Sequence, residues 1–104
     1  MKAIKLAAMD IDGTLIGKNK ILTERTRKAL TAAAAKGIHL VVASGRALQA
    51  IPAELTGIPG MEYVITSNGS SVFRLSDSKR IYAQDMTPDQ VQRLLAFYKN
   101  YDCP

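Results

Sequence analysis

The chain has 104 residues, of which 47% are apolar and 22% charged, and its formal net charge is +5. This length allows one small domain, and this composition excludes a disordered tail. The longest apolar runs, such as residues 38–43, are far shorter than the roughly 20 residues that a membrane-spanning helix needs. The first ten residues also turn acidic too early for a secretory signal, so we expect a cytoplasmic protein without a membrane segment.

The excess of positive charge makes an anionic partner worth considering. Only the RTRK stretch at residues 25–28 is dense in basic residues, and no aromatic residue is interleaved with it. The sequence therefore predicts no nucleic-acid binding. A single cysteine, Cys103, excludes an intramolecular disulfide and a cysteine-based metal site.

The first half of the chain predicts a strand, a helix and a second strand. Residues 4–9 and 38–43 are short apolar runs typical of buried strands. Between them, Thr23 is a candidate N-cap, residues 24–36 are rich in strong helix formers, and Gly37 follows. Strands joined by such a crossover helix are parallel.

A second helix is predicted from Ala47 to about Leu55, bent or shortened by Pro52, and a third parallel strand over residues 63–66. The fold class is therefore α/β, a partial doubly wound parallel sheet of the Rossmann-like kind.

The end of the chain predicts a hairpin and a further helix. Residues 72–75 and 80–83 are strand-like and are separated by the turn-prone SDSK. The sequence TPDQ from Thr87 then supplies an N-cap, a proline at the first helical position and a capping-box glutamine.

Each of the three predicted parallel strands ends in polar residues. The first is followed by DIDGT at residues 10–14, the second by SGR at 44–46 and the third by SNG at 67–69. Because ligands bind beyond the carboxyl ends of parallel strands, these groups should converge on one rim. Carboxylates, hydroxyls, an amide and a guanidinium together suit a phosphate and a divalent cation.

A plainer interpretation is that these residues only form Asx and Ser/Thr turns. Against it, two carboxylates at positions 10 and 12 repel each other unless a cation or a shared proton compensates, and Mg²⁺ is the natural occupant. An EF-hand is excluded because Leu15 occupies the position of its glycine, and neither the Walker A nor the Rossmann glycine spacing occurs.

The strings MDIDGTL, VVASGR and VITSNGS, in this order and spacing, resemble the haloacid dehalogenase superfamily, and most closely its Cof-type sugar-phosphate phosphatases. The resemblance implies that Asp10 is the nucleophile that becomes an aspartyl phosphate. It implies that Asp12 protonates the leaving alcohol and later deprotonates water. It also implies Mg²⁺, bound by the Asp10 carboxylate and the Asp12 backbone carbonyl.

The same resemblance assigns the remaining polar residues to phosphate and substrate binding. Ser44 would donate a hydrogen bond to a phosphoryl oxygen, and Thr14 would support the loop. Gly45, Arg46 and Asn68 would lie at the substrate side. The implied partner is a small phosphorylated metabolite.

This chain departs from the family at its end, because members are more than twice as long and later supply a lysine and an acidic pair, written GDxxND. We expect residues 1–81 to be the N-terminal part of the core and 82–104 the start of an α/β cap. The chain would then be a piece of a longer phosphatase, inactive alone and weak in Mg²⁺ binding, and its incomplete sheet predicts self-association.

Two other functions remain open. A receiver-like phosphoacceptor domain is similar in length and fold, but it needs an acceptor aspartate where this chain has Thr66, Ser67 and Asn68. A non-catalytic interaction or dimerisation module would explain the missing lysine and acidic pair.

Overall fold

A computed structural model of the protein describes residues 2–101, so Cys103 lies outside the described residues. The described part contains the strands β1 (Leu6–Asp10), β2 (His39–Ala43), β3 (Met61–Thr66), β4 (Ser71–Arg74) and β5 (Lys79–Ala83). Its α-helices are α1 (Glu24–Ala35), α2 (Ala53–Thr56) and α3 (Pro88–Tyr98).

The strands form one sheet in the order β1-β2-β3-β4-β5. The first three are parallel, and β4 and β5 continue the sheet antiparallel to their neighbours. The α/β class, the three parallel strands and the hairpin are therefore confirmed. In register, Asp10 lies beside Ala43, and Ala43 beside Ile65, so all three parallel strands reach the same edge.

The core lies where the helical segments cover one face of this sheet. Alternate residues of β2, Leu40 and Val42, are buried there together with Val64 of β3. Leu30 of α1 packs against this cluster and Leu55 of α2 belongs to it. The full cluster of buried residues is Ile11, Leu15, Ile16, Leu40, Val42, Ile51, Leu55, Ile58, Met61 and Val64.

Helices α1 and α3 begin as the sequence predicts, because their caps are local. The Thr23 side chain accepts a hydrogen bond from the N–H of Thr26 at 3.2 Å. At α3 the Thr87 hydroxyl accepts from the N–H of Gln90, and the Gln90 side chain accepts from the N–H of Thr87. The two backbone N–H groups at the start of α3, which have no partner within the helix, are thereby hydrogen-bonded as in a capping box.

The helix predicted from Ala47 to about Leu55 is interrupted at Pro52, where a bend or shortening was expected, and it is wrong as one continuous helix. The chain instead forms a 3₁₀ turn over Leu48–Ala50, an extended residue at Ile51 with ψ of 125°, and the single turn of α2. Pro52 explains the break, because it cannot donate a backbone hydrogen bond and disfavours the helical region for the residue before it. The break still buries Ile51 and Leu55 on the same cluster.

The far end of the chain projects from the core. Residues 81–101 are all exposed, no side chain of α3 is buried, and the protein measures 52 Å along its long axis against 31 Å across. Within residues 2–101, no helix combines the length and the apolar character needed to cross a bilayer.

Candidate active site

The loop after β1 exposes its polar residues because its apolar ones are anchored. Ile11 and Ile16 are at most 3% exposed, whereas Asp12, Gly13 and Thr14 are exposed. The N–H of Ile16 donates to the carbonyl of Ile11 at 3.0 Å, and that of Gly13 to the carbonyl of Ile16 at 2.9 Å. Gly13 has φ of +80°, which glycine adopts without steric cost. The loop is a tight turn that presents carboxylates to solvent.

The loops after β2 and β3 are joined by backbone hydrogen bonds. The N–H of Asn68 donates to the carbonyl of Ser44 at 3.2 Å, and the N–H of Ser67 donates to the carbonyl of Arg46 at 3.0 Å. Ser67 and Asn68 both have positive φ, +48° and +56°, a region that asparagine tolerates better than most residues. The pairing holds the two loops in one arrangement.

Gly45 and Asn68 approach each other closely in this arrangement. A Cβ on Gly45 would lie 2.8 Å from the Asn68 Oδ1. Real Cβ atoms do not come so near an oxygen, so only glycine leaves the Asn68 side chain in its present place.

An open cavity of about 380 Å³ lies at this edge of the sheet. The predicted residues Asp10, Ser44, Gly45 and Asn68 line it together. Ala43, Ile65 and Gly69 complete its wall, and Gly69 belongs to the SNG segment expected at this rim. The structure therefore brings four of the seven predicted site residues to one cavity.

Asp12 and Arg46 form an ion pair beside that cavity. The Nε and Nη2 atoms of Arg46 donate to Oδ2 and Oδ1 of Asp12 at 3.0 and 2.6 Å. These hydrogen bonds lower the pKa of the Asp12 carboxyl, and Lys20 adds a smaller attraction in the same direction, against a partial desolvation that raises the pKa. Neither the contribution of Lys20 nor the pairing of Asp12 with Arg46 was expected from sequence.

Ser44 and Thr14 differ in their surroundings. Ser44 is 7% exposed, and its Oγ accepts a hydrogen bond from the N–H of Arg46 at 3.0 Å, which is the Ser/Thr turn of the plainer interpretation. A hydroxyl that accepts a hydrogen bond can still donate its own proton, so the Ser44 hydroxyl can donate to a further acceptor. Thr14 is exposed, does not line the cavity, and donates its backbone N–H to the carbonyl of Ile11 at 3.2 Å.

The oxygen donors suit Mg²⁺ by their chemistry. Asp10 at the end of β1 and Asp12 in the loop that follows are both exposed. Mg²⁺ is usually held by one or two carboxylates, with water and phosphate oxygens completing the shell. Across residues 2–101 no cluster of three or more His, Cys, Asp or Glu side chains could enclose a metal ion. The described residues therefore offer fewer carboxylate ligands than a closed metal site has.

Comparison with known proteins agrees with the motifs. The model of the family described as haloacid dehalogenase-like hydrolase matches residues 7–104. The chain is 34% identical over 70 residues to the 5-amino-6-(5-phospho-D-ribitylamino)uracil phosphatase of Bacillus subtilis, which covers 67% of the chain and 28% of that protein. It is 32% identical over 94 residues to the HMP-PP phosphatase of Cronobacter sakazakii, covering 90% of the chain and 34% of that protein.

Solved structures give the same result. A phosphatase of the haloalkanoate superfamily from Bacteroides thetaiotaomicron superposes with a TM-score of 0.86 at 25% identity, over 95% of this chain and 36% of its own. A sugar phosphatase of subclass IIB superposes with a TM-score of 0.75 at 31% identity, over 92% and 37%. The chain spans about a third of the length of these relatives. Its sequence and its fold together establish that the chain belongs to the haloacid dehalogenase-like hydrolases.

Proposed function

We propose that the natural protein containing this chain hydrolyses phosphate monoesters of small metabolites. The observation that carries the proposal is that Asp10 lines one open cavity together with Ser44 and Asn68. A nucleophile, a hydroxyl donor and an amide donor around one space are what the transfer of a phosphoryl group needs. The phosphatase names of the relatives support this class of reaction.

In the first half of the reaction, an Asp10 oxygen attacks phosphorus and forms an aspartyl phosphate. The bond from phosphorus to the leaving oxygen breaks, its electron pair stays on that oxygen, and Asp12 delivers a proton there as a general acid. Ser44 donates a hydrogen bond to a phosphoryl oxygen, and Asn68 and the exposed backbone of Gly45 face the substrate. Thr14 supports the loop that carries both aspartates.

In the second half, water attacks the phosphorus of the aspartyl phosphate. Asp12 takes the proton of that water, inorganic phosphate leaves, and the Asp10 carboxylate is restored. One ester and one water are consumed, and Asp12 ends with the proton that it gave away. The ion pair with Arg46 favours the carboxylate form of Asp12, which this second step uses, and works against the protonated form that the first half of the reaction uses.

We propose Mg²⁺ as the cofactor, held by the Asp10 carboxylate and the Asp12 backbone carbonyl. When bound, it would neutralise the repulsion between the attacking carboxylate and the anionic phosphate. The exposed position of both residues on one loop supports this assignment.

We further propose that the core gives way to a cap near the end of β5. The boundary expected after residue 81 falls inside β5, which pairs with β4 as far as Ala83. A boundary between Ala83 and Thr87 keeps the strand whole and begins the cap with α3. Because no lysine lines the cavity, we propose that residues 1–104 alone do not turn over substrate.

The test measures the release of phosphate from p-nitrophenyl phosphate in the presence of Mg²⁺. It compares the full-length natural protein with its Asp10→Asn variant. We expect the variant to lose activity by at least about a thousandfold, because the nucleophile is gone. Asp77→Asn, which alters a carboxylate on the β4–β5 hairpin, should remain active. Chelation of the metal should abolish turnover, and added Mg²⁺ should restore it. Equal activity with and without the Asp10 carboxylate would refute the proposal.

A further inference from the structure

We infer that Arg46 is a positioning residue, which holds the Asp12 carboxylate where it can reach the leaving oxygen, and that it is not a direct ligand of the phosphate. The inference rests on the proposed function and assigns a role to a residue that the sequence placed only at the substrate side.

The guanidinium of Arg46 is already engaged on two sides. One edge, Nε and Nη2, is bidentate to the two carboxylate oxygens of Asp12 at 3.0 and 2.6 Å. On the other side Nη1 donates to the carbonyl of Ala50 at 2.9 Å. The edge that would grip a phosphate with two parallel hydrogen bonds is therefore occupied by Asp12.

The backbone of Arg46 is held as firmly as its side chain. Its N–H donates to the Ser44 Oγ at 3.0 Å, and its carbonyl accepts from the N–H of Ser67 at 3.0 Å. These contacts tie Arg46 to the loops that carry Ser44 and Asn68. Arg46 thereby transmits the position of the phosphate-facing loops to the loop after β1.

Asp12 depends on this contact for its orientation. Its side chain is 57% exposed, against 28% for Arg46, and within residues 2–101 its carboxylate accepts hydrogen bonds from Arg46 alone. An exposed aspartate without such a partner samples several rotamers. The two N–H donors of Arg46 hold the Asp12 side chain in one of these rotamers.

Two other bidentate pairs show that this one is different. Arg74 with Asp77 and Arg80 with Asp85 have the same distances of 3.0 and 2.6 Å, but they join residues three and five positions apart. Arg46 and Asp12 are 34 positions apart. The long-range pair connects two parts of the site, whereas the local pairs lie on the hairpin and after β5 and provide matched controls.

The chemical consequence concerns the proton that the leaving group receives. An alkoxide is a poor leaving group and needs that proton, whereas p-nitrophenolate is stable enough to leave without it. A misplaced Asp12 should therefore slow the cleavage of alkyl phosphates far more than that of p-nitrophenyl phosphate. A lost phosphate ligand would slow both equally.

The test measures kcat/KM of the full-length natural protein and its variants with p-nitrophenyl phosphate and with glycerol phosphate, in saturating Mg²⁺. For Arg46→Ala we expect about a hundredfold loss with glycerol phosphate, the range of general acid catalysis, and less than about tenfold with p-nitrophenyl phosphate. Arg46→Lys, which keeps the charge without the fork, should show the same preference to a smaller degree. In an Asp12→Asn background, Arg46→Ala should add no further loss.

Arg74→Ala is the matched control and should leave both rates unchanged. Equal losses with the two substrates, or a further loss in the Asp12→Asn background, would overturn the inference and indicate a phosphate ligand. If Arg46→Ala does not fold, as judged by circular dichroism, Arg46→Lys decides by the same ratio of the two losses. Activity that survives Asp10→Asn would instead refute the proposed function itself.

Discussion

The backbone N–H of Asn68 donates a hydrogen bond to the carbonyl oxygen of Ser44 at 3.2 Å, so that the polar ends of β2 and β3 form one wall of the cavity. Gly45 lies in this wall against the Asn68 side chain. Because of this close contact, only glycine at position 45 leaves the Asn68 side chain in its present place.

In the full-length natural protein we expect Gly45→Ala to reduce phosphatase activity while it leaves stability nearly unchanged. The new Cβ would lie 2.8 Å from the Asn68 Oδ1, and the end of a flexible side chain can move away at little cost. The displaced amide should lower kcat/KM by about tenfold, the value of one hydrogen bond, with unfolding free energy changed by less than about 1 kcal/mol. Gly17→Ala, whose Cβ would have its nearest neighbour at 3.8 Å, is the control. Full activity in Gly45→Ala would contradict this role of Asn68.

Gly60→Ala should destabilise the fold through its contact with α1. Gly60 has φ of +92°, and a Cβ there would overlap the Cβ of Ala34. We expect a loss of at least about 2 kcal/mol of unfolding free energy in urea, from the left-handed backbone and the overlap together. Gly37→Ala, with φ of +89° and nothing within 4 Å of its Cβ, measures the backbone contribution alone.

A second substitution separates the overlap from other causes. In the Ala34→Gly background the overlapping Cβ is absent, so Gly60→Ala should cost no more than Gly37→Ala. If the cost of Gly60→Ala does not depend on residue 34, the overlap is not its cause.

The Arg74 and Asp77 pair predicts a specific titration. The hydrogen bonds from Arg74 lower the pKa of Asp77 from 3.8 to about 2, with a further contribution from the N–H of Lys79. Because the pKa in the folded protein is the lower one, the pair stabilises the fold above pH 4, and this contribution disappears as the pH falls towards 2. Carbon NMR of the Asp77 carboxyl should show a midpoint near 2 that rises in Arg74→Ala and not in Arg93→Ala. A midpoint unaffected by Arg74→Ala would contradict the assignment.

We predict that the 104-residue chain self-associates through the edge formed by β1. In residues 2–101, β1 pairs with β2 alone, and Ile4 and Leu6 beside that free edge are 73% and 54% exposed. Light scattering with size exclusion should show a mass that grows with concentration and falls in Leu6→Lys. Leu95→Lys, on the exposed helix α3, is the control for self-association through α3 instead of the edge of β1. A strictly monomeric chain at high micromolar concentration would rule out the prediction.

The features that sequence predicted correctly follow from local residue patterns or from the parallel topology that these patterns imply. The caps at Thr23 and Thr87 depend on hydrogen bonds to residues three positions away. The parallel direction of the first three strands follows from the helical segments that connect them. The convergence of Asp10, Ser44 and Asn68 follows from that topology, because parallel strands end at one edge.

The features that sequence did not reveal depend on distant residues. Arg46 and Asp12 meet only because two loops are joined by the sheet, and no local pattern at either position indicates the other. His39 and Glu62 also meet only because the sheet brings distant residues together, with 2.9 Å between His39 Nδ1 and Glu62 Oε1. The break within residues 47–55 goes further than the bend or shortening predicted at Pro52, and the burial of Ile51 and Leu55 in one cluster could not be seen from local propensity.

The two hydrogen bonds between the loops after β2 and β3 also constrain how these loops can change in evolution. An inserted residue adds up to about 3.3 Å of chain, which exceeds the tolerance of a backbone hydrogen bond. An insertion after Ser44 would therefore separate Arg46 from Ser67 unless the loop at Asn68 changed with it. Natural variants should keep the lengths of these two segments fixed, and should place their insertions elsewhere, for example at the tip of the β4–β5 hairpin.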